Sequence, residues 1–310
     1  MEEPARHEVP VVAAPLVYVV GGVTVLILGL NWPIMSWGVE TIPPLWLTSL
    51  RLLGAGLGLA CVLVLTGNLR PPPRHDYAIV ATVAIVRLAL VYSLVTTALL
   101  FVPAGRSSLL VHTAGLWAAP LGVWFLSERL SPAAGLALLC GIGGIVLLME
   151  PWALQAADQA VVGYAMLLGA AVATAAATVH MRRHRWAATP LSLMPWQLVV
   201  AGTVTTLLAL AVDGPLRLEW STREVAVILY QIALASGFGV WGTIALSRSL
   251  PAVSTGILMM SVPVIGVSSS VILLGEDLTA PVAAGILAIL IAVGLNAVAD
   301  RRAAPPASAS

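Results

Sequence analysis

PAGRSSLLVHTAGLWAAPLGVWFLSERLS (Pro103–Ser131) lies without gaps over PAVSTGILMMSVPVIGVSSSVILLGEDLT (Pro251–Thr279), at an offset of 148 residues. Pro103 meets Pro251, Ala104 meets Ala252, Leu110 meets Leu258, Glu128 meets Glu276 and Leu130 meets Leu278. In so apolar a chain, leucine and alanine matches come cheaply; the paired prolines and glutamates carry the information. The offset divides the chain into residues 1–150 and 151–310, two copies of one unit.

Each copy holds five apolar runs. They cover 14–38, 44–66, 77–101, 103–125 and 132–150, then 160–181, 190–212, 224–247, 252–274 and 280–299. A bilayer core takes about 20 apolar residues per helix, so the fold class is an all-α membrane protein with ten transmembrane helices. Hydrophobic residues make up 59% and charged residues 9% of the chain, against roughly a quarter charged in soluble domains. A transmembrane barrel would show short alternating segments, whereas LLGAGLGLACVLVLTG and AAGILAILIAVGLNAVA do not alternate. The first run reads as a span and not a signal peptide, because MEEPARHEVP lacks a clearly basic region and the apolar stretch is too long.

An odd number of spans per copy makes the second copy enter the membrane from the opposite side. Two inverted five-helix repeats are a recurring transporter design, with the substrate site near the midplane between them. Placing the N-terminus in the cytoplasm puts Arg6, Arg70, Arg74, Arg129, Arg182, Arg183, Arg185, Arg248, Arg301 and Arg302 inside and only Arg106, Arg217 and Arg223 outside. Both termini are therefore expected in the cytoplasm of a multi-pass protein of the cell inner membrane.

Several classes are excluded or disfavoured. The net charge of +1 and the absence of a long basic run give no sign of nucleic acid. Cys61 and Cys140 fall inside apolar runs, and no disulfide framework or zinc spacing exists, so neither metal nor cofactor is expected. There is no P-loop and no soluble domain, which leaves transport downhill or coupled to an ion gradient. A membrane-embedded enzyme would want clustered Asp, Glu or His at one face, but the acidic residues are scattered. The expected partners are the lipid bilayer and a small-molecule substrate; the sequence sets no oligomeric state.

NWPIMSWGVETIPPLWLTSLRLL and the helix-end motifs SERLSPAAG and GEDLTAPVAAG resemble the EamA-type repeat of the drug/metabolite transporter superfamily. The residues that carry the likeness are Asn31, Trp32, Pro44 and Arg51, then Glu128, Arg129, Leu130 and Gly135, and Glu276, Asp277, Leu278 and Gly285. The family usually has a proline about thirteen residues before each glutamate; Pro263 fits, whereas Gly115 takes the first-half position. Either the fourth helix is straighter or Pro120 bends it lower down. The resemblance implies export of small metabolites or amino acids by alternating access around a central cavity, and is greatest to bacterial exporters of aromatic and other amino acids of the YddG type. Carriers of sugar phosphates, nucleosides or drugs stay open within the same fold.

Arg87 lies about ten residues into the third span, roughly 15 Å along the helix axis, and cannot easily snorkel. An arginine at this depth costs at least about 2.5 kcal/mol, yet every acidic residue falls in a terminus, a loop or a span edge. Arg87 either braces carbonyls and hydroxyls or meets a carboxylate brought by the substrate, which its planar fork suits. The missing midplane carboxylate also disfavours a cationic drug. Arg51, nearer the external end, can snorkel and is expected to be structural or at a cavity mouth. His112 is the one histidine well inside the membrane; His75, His180 and His184 lie at cytoplasmic edges and receive no role.

Trp32, Trp37, Tyr92, Trp117, Tyr230 and Trp241 fall in the spans that the resemblance places around the cavity, and Gln231 offers hydrogen bonds there. The candidate substrate-binding set is Arg87, Tyr92, His112, Trp117, Trp32, Gln231 and Trp241; the structural or hinge set is Arg51, Glu128, Glu276 and Pro263. Trp46, Trp152, Trp186 and Trp220 read as interfacial anchors. Glu128 and Glu276 are expected to cap the helix starts that follow them at Ser131-Pro132 and Thr279-Ala280-Pro281.

Overall fold

The computed structural model describes residues 14–126, 132–152, 159–218, 220–250 and 252–303. They form α1 (Ala14–Val39), α2 (Pro44–Leu65), α3 (Arg74–Ala98), α4 (Ala104–Phe125), α5 (Pro132–Met149), α6 (Gln159–Arg183), α7 (Pro190–Val212), α8 (Thr222–Ser249), α9 (Ala252–Leu274) and α10 (Ala280–Ala303). There is no strand among the described residues. Seven helices are each long and apolar enough to cross a bilayer, and α5, α9 and α10 carry the shorter apolar stretches Gly135–Met149, Leu258–Leu274 and Ala280–Leu295. Together they make a multi-span membrane protein whose outward side chains, such as Leu65, Trp124 and Ile272, are apolar.

Local chemistry sets the helix ends. Pro44 and Pro190 begin α2 and α7, where the missing N–H costs nothing. Gly67 and Gly214 follow the same two helices with φ of 69° and 73°, the left-handed turn that glycine makes without a Cβ penalty.

The packing repeats when each helix is exchanged for the one five places along. α5 packs on α10 and α2 on α7, so these pairs map onto themselves. The contact of α1 with α9 maps onto that of α6 with α4, α1 with α8 onto α6 with α3, and α3 with α7 onto α8 with α2. Successive helices run in opposite directions, so an exchange by five turns each helix end for end, and the two-fold axis lies across the helices. The relation reaches the backbone itself. Thr82–Leu90 of α3 and Tyr230–Phe238 of α8 are both wound as π-helix, and the two segments coincide at the same 148-residue offset. Such wide turns are rare and are found mostly at functional sites.

Small residues let the halves approach. A Cβ on Gly144 would stand 3.0 Å from Gly285 O, and one on Gly285 would stand 2.8 Å from Gly144 O, which marks the point where α5 crosses α10. A Cβ on Gly29 of α1 would fall 2.4 Å from Ile265 of α9. Helix α4 breaks its ladder at Thr113, whose hydroxyl bonds Leu110 O at 2.6 Å, close to Gly115 and not at Pro120. Pro263 lies inside the uninterrupted α9.

Candidate functional site

Arg51 is buried, 6% exposed, among α1, α2, α3 and α8. Its Nε donates to Ser236 Oγ at 2.8 Å, one terminal nitrogen lies 3.4 Å from Met35 Sδ, and its guanidinium stands 4.6 Å from the centroid of the Tyr92 ring. The expectation that Arg51 snorkels to the span end is therefore corrected. Distance along the helix axis allowed it, but the side chain leaves α2 towards the other helices and not along the axis.

The energetics explain why such a group is kept without being a large source of stability. Insertion costs at least about 2.5 kcal/mol, a desolvated cation–π contact returns up to ~2 kcal/mol, and a charged hydrogen bond about 1.5–3 kcal/mol. These nearly cancel. No carboxylate touches Arg51 among the described residues, since its partners are a hydroxyl, a thioether and a ring.

Unpaired buried polar groups occur on α1, α3 and α8 of this set and also on α4, α6 and α9. Gln231 of α8 is fully buried and neither end of its amide has a partner. It lies one π-turn before Ser236, on the same buried face. Asn31 of α1 donates to Met35 Sδ at 3.5 Å while its Oδ1 stays unpaired, and the Ser93 and Ser108 hydroxyls on α3 and α4 are unpaired as well. Each buried orphan costs about 1–3 kcal/mol, so a group of them points to something that completes them.

Beside this polar group lies an aromatic one. Trp32 is buried, 6.2 Å from the His112 ring by centroids, and its Cδ1 would stand 3.1 Å from a Cβ on Gly266. His112 Nδ1 bonds Ser108 O at 2.7 Å, which fixes the ring across α4. Trp117 hangs from the Thr113 hydroxyl at 3.3 Å, and Trp241 packs on Phe238 at 5.3 Å. Tyr230, ahead of Gln231, donates its hydroxyl to Ile27 O at 2.6 Å and ties α8 to α1.

Arg87 stands apart from this group. It is half-buried in the π-segment of α3 and donates to Thr178 Oγ1 of α6 at 3.3 Å. Glu276 does not cap the helix that follows it; its carboxylate accepts from Gly105 N at 3.0 Å at the start of α4, and Thr279 Oγ1 accepts from Val282 N at 3.3 Å in its place. The turn after α9 brings Glu276 beside a different helix, which sequence adjacency could not reveal. Glu128 lies outside the described residues. Trp152 and Trp220 are exposed as anchors should be, but Trp46 is buried and donates to Gly214 O at 3.0 Å, so it ties the start of α2 to the connection after α7.

The two ends of the bundle carry cross-repeat ties. At the arginine-rich end, Asp76 accepts from His184 Nε2 at 2.8 Å, Ala187 N at 3.2 Å and Ala188 N at 2.8 Å. Trp196 donates to Arg70 O nearby at 2.9 Å. At the opposite end, Glu224 closes a capping box with Ser221, and Arg223 pairs with Glu40 across the repeats.

Comparison with known proteins agrees with this architecture. The model of the EamA-like transporter family matches residues 16–150 and again 161–298. A Salmonella typhimurium protein named "Probable amino-acid metabolite efflux pump" is 28% identical over 283 residues, 87% of this chain and 90% of its own length. Its Escherichia coli namesake is 27% identical over the same length. The Bacillus subtilis "Uncharacterized transporter YoaV" is 23% identical over 277 residues, 87% of this chain and 93% of its own. A crystal structure with 19% identity shares the fold at a TM-score of 0.63, covering 94% of this chain and 100% of the other.

Proposed function

The chain belongs to the EamA-like transporter family, and from that premise we propose that it exports neutral or aromatic amino acids, or closely similar carboxylate metabolites, across the inner membrane by alternating access. The observation that carries this reading is Arg51, a buried guanidinium without a carboxylate among the described residues. A substrate α-carboxylate completes it with two parallel hydrogen bonds. The orphaned Gln231 amide and the unpaired hydroxyls take the substrate's amino group, and Trp32, Tyr92 and Trp117, which share one apolar cluster, offer surface for an apolar side chain. His112, beside Trp32, and Trp241 are assigned to the same set.

The names of two relatives, amino-acid metabolite efflux pumps, favour the same substrate class. In this reading the two inverted halves rock about the axis between them, with the arginine-rich end facing the cytoplasm. The ties at Asp76 and at Arg223 hold opposite ends in turn. Arg87 braces α3 on α6 through Thr178, and no catalytic step is needed.

The test is uptake and counterflow in proteoliposomes with a panel of labelled amino acids, with and without a pH gradient. Saturable exchange of at least one amino acid is expected. Exchange of organic cations or sugar phosphates, with no amino acid moving, overturns the reading.

A further inference from the structure

His75 and Asp76 open α3, and His184 follows α6; the fold brings them together although 108 residues separate Asp76 from His184. The Nε2 or Nδ1 atoms of both histidines and a carboxylate oxygen of Asp76 all lie within 4.8 Å of one another. His184 Nε2 stands 2.8 Å from Asp76 Oδ1, and His75 Nε2 stands 2.9 Å from the backbone oxygen of Arg185.

This cluster is held in shape before any ligand arrives. Asp76 is fully buried and oriented by the N–H groups of Ala187 and Ala188, which leaves lone pairs on its oxygens. The His184 ring is seated edge-on against Trp186 at 5.5 Å and stacked on His75 at 5.2 Å. Outer contacts that fix ring and carboxylate directions are what tune a metal site. His75, though exposed, is held beside the pair by its bond to the Arg185 oxygen and by stacking on His184, so three ligating side chains converge.

We propose that His75, Asp76 and His184 bind a divalent transition metal of the zinc class. Two imidazoles and one carboxylate are a standard donor set for zinc, and also suit cobalt or nickel. Tetrahedral ligands at about 2.0–2.1 Å stand roughly 3.3 Å apart, so an ion would open the 2.8 Å His184–Asp76 contact slightly, replacing its hydrogen bond, while the wider separations close. The Arg185 carbonyl or a water takes the fourth place. The exposed Arg74 and Arg185 lower affinity through charge repulsion, which suits a reversible regulatory site more than a permanent structural one. Because the ligands come from the first turn of α3 and the connection after α6, a bound ion staples the first repeat to the second at the arginine-rich end. That contact opens in alternating access on the reading above, so the metal slows transport.

The binding half of this inference is tested without any transport. Full-length protein with a tag free of histidine is stripped with chelator and titrated with Zn²⁺ alone by calorimetry. One ion per chain is expected in the wild type, at least tenfold weaker binding in His184→Ala and in His75→Ala, and none at this site in the double variant. Asp76 and His184 are packed into the fold, so the exposed His75 is the decisive position. Unchanged zinc affinity in His75→Ala, or equal binding by wild type and double variant, overturns the site. In proteoliposomes, zinc on the arginine-rich side should slow counterflow at least threefold in the wild type and not in His75→Ala; binding without slowing overturns the regulatory role while leaving the site.

Discussion

Asp76 and Glu224, 148 residues apart, hold the same place in the two halves, each at the start of its helix. Asp76 opens α3 and binds the connection ahead of α7, through Ala187 and Ala188. Glu224 opens α8, caps it with Ser221, and holds its neighbour Arg223 against Glu40 in the connection ahead of α2. Each acid therefore anchors a tie between the repeats, at opposite ends of the bundle. Asp76→Asn keeps the size but loses the charge that three donors face, and should cost about 1–3 kcal/mol, read as a lower thermal midpoint in detergent. Thiol labelling of cysteines placed beside each tie should rise at the arginine-rich end in Asp76→Asn and at the other end in Glu224→Gln. Increased labelling at the same end in both would refute the opposed roles.

Arg51 and Arg87 are separated by a pair of substitutions. Arg51→Gln removes the guanidinium that faces Ser236 and Tyr92 and should reduce amino-acid counterflow at least tenfold with normal expression. Arg51→Lys, a point charge without the planar fork, should recover only part of it. Arg87→Gln loses the bond to Thr178 and should keep transport within about threefold, the effect of a lost surface-type brace of under ~1 kcal/mol. Equal loss in both variants would place Arg87 on the substrate path.

The crossing of α5 and α10 has a built-in control. A Cβ on Gly144 meets backbone atoms of α10 at 3.0 Å, whereas one on Gly143, its neighbour, has nothing within 4 Å. Gly144→Ala should force the helices apart at about 1–3 kcal/mol, and Gly143→Ala should leave the thermal midpoint unchanged. Similar midpoints for the two variants would rule out the close crossing.

Glu276 gives a pH dependence with a definite sign. Burial pushes its carboxyl above the usual 4.5, against the opposing pull of the Gly105 and Ala104 N–H groups and of Arg106. The folded protein then holds the proton more tightly than the unfolded chain, so stability falls as pH rises from about 4.5 through the folded value and levels off above it. Glu276→Gln keeps an acceptor for Gly105 N and should flatten this part of the profile. Thermal midpoints of both proteins between mildly acidic and neutral pH check it, and parallel profiles would count against the buried carboxyl.

Much of the bundle is legible in the residue order. The ten runs read from composition fall within a few residues of α1 to α10, because the bilayer demands one continuous apolar helix per crossing. The duplication is visible in Pro103 with Pro251, and an odd span count makes it inverted. The residue order does not show, however, that Arg51 turns inward to Ser236, that Glu276 meets Gly105 instead of the next helix start, or that His184 reaches Asp76. In lipid a helix is apolar on every side, so no amphipathic stripe tells which face turns inward.

Apolar length and a repeat offset need no knowledge of contacts, so they are enough to make this a ten-span membrane protein of two inverted halves. Which polar groups meet depends on how the helices pack. Helix rotation follows from close approach at positions such as Gly29, Gly144 and Gly285, and that packing turns Arg51 towards Ser236 and carries His184 to Asp76.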